Sequence, residues 1–164
     1  MSVMDHKVRT CLWFSAKALE AARFYVSLLP DSKIEDEASL ENMVTGEEDG
    51  VQFVEFTLAG TPYQAMNAGP HHEFNDAMSI VVMTEDQAET DRLWNAITSD
   101  GGKPVQCGWA TDRFGVRWQI VPRRMTQLLA RGEREGISRM FKAMMPMQKL
   151  EIATLEAAYF GEEA

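Results

Sequence analysis

Cys107-Gly108-Trp109-Ala110-Thr111-Asp112-Arg113-Phe114-Gly115-Val116-Arg117-Trp118-Gln119-Ile120-Val121-Pro122 is the stretch whose reading decides the fold. Asp112-Arg113-Phe114-Gly115 is a turn signal between two β-like runs, so a hairpin is predicted with residues 116–121 as its return strand. Strand alternation divides that return strand. Val116, Trp118 and Ile120 point one way, and Arg117, Gln119 and Val121 the other. The apolar row needs a helix or second sheet to cover it, whereas the row carrying Arg117 and Gln119 needs a cavity or solvent. A bound molecule is expected beside that second row.

Upstream of the hairpin one order of elements is predicted twice. Residues 8–14 read as a strand, with Val8, Thr10, Leu12 and Phe14 on one face and Arg9, Cys11 and Trp13 on the other. Ser15 stands where a helix N-cap is expected. Residues 17–29 then carry Leu19, Ala22, Val26 and Leu29 at helical spacing, and Pro30-Asp31-Ser32 ends them. Residues 33–42 read as a charged strand, and Glu47-Glu48-Asp49-Gly50 as a polar turn. Residues 51–58 and 62–68 are two strands joined through Ala59-Gly60-Thr61.

After the loop Gly69-Pro70-His71-His72-Glu73-Phe74-Asn75-Asp76 the pattern restarts. A strand is predicted at 79–83, then Thr84 as N-cap with Gln87 completing a capping box, then a helix to about Ser99 stopped by Asp100-Gly101-Gly102. With an offset of 69 the halves match at Ser15 and Thr84, Glu20 and Glu89, Arg23 and Arg92, Phe24-Tyr25 and Leu93-Trp94, Leu28 and Ile97, and Asp31 and Asp100. One reading is two copies of a strand-helix-strands unit, each too small to bury its sheet alone. The other is a coincidence of two amphipathic helices with ordinary caps and stops.

Beyond the hairpin, residues 125–159 read as helical, with interruptions at 131–136 and at Pro146. Met140, Phe141, Met144, Met145 and Met147 make an adaptable apolar surface there, suited to a docking tail or a dimer contact.

At 164 residues and 45% apolar content the chain is one ordinary domain or two small units. Its formal charge of -9, from 25 acidic and 16 basic residues, disfavours nucleic acid, whose phosphates call for clustered Lys and Arg. Arg123-Arg124 is too short a cluster to change that. Cys11 and Cys107 match no zinc or redox spacing and are expected to be buried, reduced thiols of a cytoplasmic protein. No apolar run approaches about 18 residues, so no membrane partner is expected, and residues 1–7 lack the apolar core of a secretion signal.

Glu20-Ala21-Ala22-Arg23-Phe24-Tyr25, the segment ending in Gly69-Pro70, and above all Cys107-Gly108-Trp109, Asp112-Arg113-Phe114-Gly115-Val116 and Trp118-Gln119-Ile120-Val121-Pro122 carry a resemblance. They resemble the PhnB-like branch of the glyoxalase, or vicinal oxygen chelate, superfamily. Residues 139–147, Lys149-Leu150, Ile152-Ala153 and Leu155-Glu156-Ala157-Ala158 are similar to the C-terminal extension of some members. The resemblance implies an α+β fold of paired βαβββ modules curling into a half-barrel around a pocket, usually as a homodimer. The expected organisation is a domain over 1–127, with modules at about 7–69 and 77–122, and a helical extension over 128–164. Members of this branch are often labelled 3-demethylubiquinone-9 3-methyltransferase. A methyltransferase of the common class needs a Gly-rich loop after a strand, and the chain contains no G-x-G.

Metal-dependent members bind a divalent cation through His, Glu or Gln at strand ends in both modules. Carried over by the motifs, those positions fall on Thr10, Ser79 and Gln119, with Gln64 or Met66 as the fourth. Hydroxyls and amides are weak ligands for a transition metal beside imidazole and carboxylate, so neither metal nor cofactor is expected. His71-His72-Glu73 with Asp76 is the one dense group of ligand types, and it reads as a solvated loop. Cys107 reads as a core thiol with no local signature of a nucleophile.

Glu55 shares a strand face with Phe53 and Thr57, opposite Val54, Phe56 and Leu58. It is either a general base, should that face line the pocket, or an ordinary surface carboxylate. Arg117 either draws an anionic or carbonyl ligand into an apolar site or pairs with an acid at the rim. The expected function is the binding of a small organic molecule, anionic in one reading, with Thr10, Ser79, Arg117 and Gln119 lining the cavity and Trp109 and Gln64 beside them. The alternative is a lyase, isomerase, dioxygenase or transferase of the vicinal oxygen chelate type, working through a noncanonical metal site or through Glu55 as base.

Overall fold

The computed structural model describes residues 6–40, 51–69 and 73–162. The chain divides between residues 72 and 73 into two compact units. Glu47-Glu48-Asp49-Gly50 and His71-His72 lie outside the described residues.

In the first unit β1 (Thr10–Phe14) is followed by α1 (Ala18–Leu28), β2 (Lys33–Leu40), β3 (Val51–Leu58) and β4 (Thr61–Asn67). The sheet order is β1-β4-β3-β2, with β1 parallel to β4 and the other pairs antiparallel. Leu12, Phe14, Val54, Phe56, Leu58, Ala65 and Asn67 are buried on one face, matching Ala18, Ala21, Ala22, Tyr25 and Leu28 of α1. Period-2 strands thus give one apolar face, and a 3.6-period helix covers it. Tyr25 meets Phe56 with ring centroids 6.2 Å apart, and Phe56 stacks on Tyr63 at 5.3 Å.

Two details differ from the sequence reading. The residue ahead of α1 is Lys17, in the left-handed region, with no side-chain cap of its own. Asn67, at the far end of β4, instead accepts from the Ala18 N–H at 3.3 Å. Ser15 therefore does not cap this helix, since a buried amide brought in by the sheet takes the orphan donor. The β3–β4 connection is the two residues Ala59 and Gly60, both at positive φ as a tight hairpin requires.

In the second unit β5 (Ile80–Thr84) leads into α2 (Gln87–Thr98), then β6 (Lys103–Pro104), β7 (Trp109–Thr111) and β8 (Arg117–Pro122). The order β5-β8-β7-β6, with β5 parallel to β8, repeats the first sheet. Ile80, Val82, Ala110, Trp118 and Ile120 are buried on the side that α2 covers with Leu93, Trp94 and Ile97. The N-cap of α2 is Asp86, whose carboxylate accepts from the Glu89 N–H at 2.8 Å while Glu89 accepts from the Glu85 N–H. Thr84 is not that cap: it is buried, its hydroxyl 2.7 Å from that of Thr90.

Three further helices complete this unit: α3 (Arg123–Ala130), α4 (Arg134–Met144) and α5 (Ile152–Phe160). They are part of the unit's own core, because Met125, Leu128, Met140, Met144, Leu150, Leu155 and Tyr159 form one buried cluster with Cys107 and Val121 packed on it. The Cys107 and Gly108 N–H groups donate to Met147 and Gln148 carbonyls, each at 2.8 Å. Gly108 has φ +82, and a Cβ there would meet the Ile120 carbonyl at 2.9 Å and Leu150 at 3.0 Å. Glycine is thus required by both conformation and close approach. Met145 remains exposed. Among the described residues no helix is long and apolar enough to cross a membrane.

Candidate functional site

The predicted hairpin is held by one buried carboxylate. Asp112 accepts from the Phe114 N–H at 2.8 Å and the Val116 N–H at 3.0 Å through one oxygen, and from Trp118 Nε1 at 2.8 Å through the other. Gly115, at φ +90, closes the turn by donating to the Asp112 carbonyl. With the turn fixed, β8 presents Arg117, Gln119 and Val121 away from the α2-covered face, as alternation required.

On that open face Gln119 Nε2 donates to Ser79 Oγ at 2.9 Å. Trp109 is the cross-strand partner of Gln119 and is half-buried beside it. Arg117 donates through Nε to Asp76 at 2.7 Å and through Nη1 to the Gly115 carbonyl at 2.7 Å. Its guanidinium is therefore paired with an exposed acid, one of the two arrangements expected for it. Ser79, Trp109, Arg117 and Gln119 are thus brought onto one face of the second sheet.

The open face of the first sheet carries Arg9, Cys11, Trp13, Phe53, Glu55, Thr57, Gln64 and Met66. Arg9 donates to Glu55 at 2.6 Å, and Gln64 Nε2 lies 3.5 Å from the other Glu55 oxygen. Glu55 is on the face away from α1, with both oxygens engaged. Thr57 and Lys33 both bond Glu35 and hold its carboxyl below the usual range, Lys33 having the larger effect. Cys11 is exposed rather than buried, because β1 turns it to this open face. Neighbouring side chains still desolvate its thiol enough to raise its pKa, and the charge of Arg9 offsets part of that rise.

Thr10 is not among these residues. It pairs with Tyr63 in the row of Leu12 and Phe14, on the side facing α1. Burial of Tyr63 in that row raises its phenol pKa. The offset of 69 accounts for the difference. It holds for the helices, where buried Ala21, Tyr25 and Leu28 match Thr90, Trp94 and Ile97. The first strands, Thr10–Phe14 and Ile80–Thr84, correspond at an offset of 70. Their registers agree, since Cys11 pairs with Gln64 where Val81 pairs with Gln119. The strand-to-helix connection is one residue longer in the first unit, and one residue on a strand exchanges its faces. Ser79 therefore corresponds to Arg9, Gln119 to Gln64, and Trp109 to Glu55. The sequence reading missed Arg9, although it had placed Arg9 opposite Thr10.

As a donor set for a divalent cation, these positions offer on the first sheet an amide and one carboxylate, that of Glu55, already bonded by a guanidinium, and on the second a hydroxyl already bonded to an amide. A guanidinium has no lone pair to give, and the neutral oxygens are weak ligands. The residues present do not fit the metal that the superfamily resemblance implies. Among the described residues no group of three or more His, Cys, Asp or Glu side chains is placed to hold an ion.

The family model described as 3-demethylubiquinone-9 3-methyltransferase matches residues 6–121. No curated protein matches the chain. Among solved structures, a Bacillus cereus PhnB protein, provisionally described as a 3-demethylubiquinone-9 3-methyltransferase, is 29% identical. The alignment covers 71% of this chain and 99% of that one, with a TM-score of 0.65. The Pseudomonas aeruginosa protein PA1353 is 22% identical over 72% of this chain and 98% of its own, with a TM-score of 0.56, a likeness of fold alone. The fosfomycin resistance protein FosX of Listeria monocytogenes, 11% identical over 70% of this chain and 88% of its own, has a TM-score of 0.46 and is too remote to inform the site. The match stops at residue 121, so α3, α4 and α5 lie beyond it. With that match over residues 6–121, and with two strand-helix-strands units in the same strand order, the chain belongs to the PhnB-like, 3-demethylubiquinone-9 3-methyltransferase family of the glyoxalase (vicinal oxygen chelate) superfamily.

Proposed function

We propose that this protein binds a small organic molecule without a metal ion, using the open face of the second sheet. The observation that carries the reading is the Gln119–Ser79 bond at 2.9 Å beside Trp109. An amide and a hydroxyl satisfy each other there until a ligand offers better partners, and the indole supplies an apolar wall. Arg117 stands at the edge of this face with its charge paired to Asp76, so a carboxylate or carbonyl oxygen of the ligand would compete with that exposed acid for the guanidinium. Thr10, which the sequence reading put at the cavity, lies on the helix-covered side of the first sheet and takes no part in this proposal.

Methyl transfer of the common kind draws no support from these residues. β1 is followed by Ser15-Ala16-Lys17 and β5 by Glu85-Asp86, neither a glycine-rich loop able to cradle a methyl donor. A cytoplasmic location is supported by two unpaired thiols, and a homodimer by the superfamily resemblance. The functional test is a thermal-shift screen of small carboxylates and carbonyl compounds against the native chain and Gln119→Ala. A ligand that raises Tm in the native chain and tenfold less effectively in the variant supports the reading. Equal shifts in both place binding elsewhere.

A further inference from the structure

The two open faces differ in charge at positions 9 and 55, Glu55 corresponding to the neutral Trp109. Ser79, the counterpart of Arg9, is neutral, whereas Arg9 brings a guanidinium to within 2.6 Å of Glu55. The Glu55 side chain keeps 14% of its exposure and that of Arg9 keeps 33%, so the pair is partly withdrawn from water. A carboxylate so placed needs a cation. Gln64 reaches the same carboxylate from β4, its Nε2 3.5 Å from Glu55 Oε1. Position 9, just ahead of β1, thus converges with 55 on β3 and 64 on β4. A carboxylate and an amide oxygen, completed by an imidazole or a second carboxylate at position 9, would be a serviceable donor set for a divalent ion. Arginine at position 9 supplies positive charge but no lone pair.

We infer that Arg9 is a built-in cation that takes the place of a divalent ion on the first sheet, closing to metal a donor set to which Glu55 and Gln64 already belong. This rests on the metal-free reading above and names the residue responsible for it. Arg9 neutralises Glu55, occupies one of its oxygens and repels an incoming cation. Removing it leaves the carboxylate without a counter-ion. Replacing it with histidine adds a ligand nitrogen as well.

Calorimetric titration of Ni2+ and Zn2+ into the native chain, Arg9→His, Arg9→Gln and Arg9→His with Glu55→Gln tests this, with Tm reporting that each variant is folded. The expected result is no saturable site in the native chain and one in Arg9→His, at least tenfold tighter than in Arg9→Gln and lost with Glu55→Gln. A folded Arg9→His that binds no more metal than the native chain overturns the inference and leaves the metal-free reading standing. Where Arg9→His fails to fold, Arg9→Gln still decides, since unchanged divalent affinity in it also overturns the inference. A native chain that takes up one ion through Glu55 overturns both.

Discussion

Gln87 grips the backbone on both sides of Glu151. Its amide nitrogen donates to the Leu150 carbonyl at 3.1 Å, and its amide oxygen accepts from the Ile152 N–H at 2.8 Å. Gln87 opens α2 and Ile152 opens α5, so one side chain ties the family-matched segment to the helices that follow it. Glutamine suits the position because it offers donor and acceptor at once.

Gln87→Ala is accordingly expected to cost about 1–3 kcal/mol, as it leaves both a carbonyl and an N–H without a partner. Urea unfolding should show it, and hydrogen exchange should accelerate first at the start of α5. Removing everything after Gln127 goes further, because Leu128, Met140, Met144, Leu150, Leu155 and Tyr159 are buried in the same cluster as Met125. The truncated chain should lose the cooperative unfolding of its second unit. A truncated chain that keeps native Tm would show the extension to be a separable tail.

Lys149 bonds Asp91 at 2.6 Å close to the same junction. The Lys149 hydrogen bond holds the Asp91 carboxyl below its ordinary value, with Gln87 adding to the effect, and the Asp91 hydrogen bond holds the ammonium above its own. A lowered acid contributes stability above its unfolded pKa and loses it as pH falls through the folded value; a raised base contributes below its unfolded pKa and loses it as pH rises through the folded value. The clamp is therefore complete between about pH 4 and about pH 10 and weakens on both sides. Protease susceptibility of α5 measured against pH should follow this window. Asp91→Asn should remove the acid limb.

Asp112→Ala is expected to be among the most damaging single substitutions in the second unit. It orphans the Phe114 and Val116 N–H groups and the buried Trp118 indole together, a loss of roughly 3 kcal/mol or more. Asp112→Asn keeps acceptors on one oxygen only and should fall between. Chemical denaturation of the two variants gives the ranking, and equal stabilities would count against the carboxylate as the hairpin's anchor.

Ser79→Ala and Gln119→Ala separate ligand binding from folding. Each removes one bond that is only partly buried, so stability should change by about 0.5–1.5 kcal/mol. Affinity for a ligand found by screening should fall tenfold or more in Gln119→Ala. Thr10→Ala, on the helix-covered face, should leave that affinity unchanged.

The hairpin was legible because its message is local: a turn tetrapeptide, then strict alternation to Pro122. The face of Glu55 and the paired state of Arg117 were each one of two readings, and alternation alone could not choose between them. The cap of α1 was not legible, since Asn67 reaches Ala18 from 49 residues away; that of α2 was, as Asp86 with Glu89 three residues on, and was misplaced at Thr84. Arg9 was missed for a related reason. Helices tolerate a one-residue drift in alignment, whereas strands do not, and the offset was taken from the helices. The tail read correctly as broken helices, but burial of Met140 and Met144 against Leu128 depends on tertiary packing that periodicity does not carry.

The most direct test of the metal-free reading is the metal content of untagged protein, purified without chelator and measured by elemental mass spectrometry after dialysis against Mn, Fe, Ni and Zn. Less than about one tenth of an ion per chain is predicted, because position 9 is occupied by a guanidinium and Ser79 and Gln119 are neutral, weak ligands. About one retained ion per chain, lost in Glu55→Gln or Gln119→Ala, would contradict it.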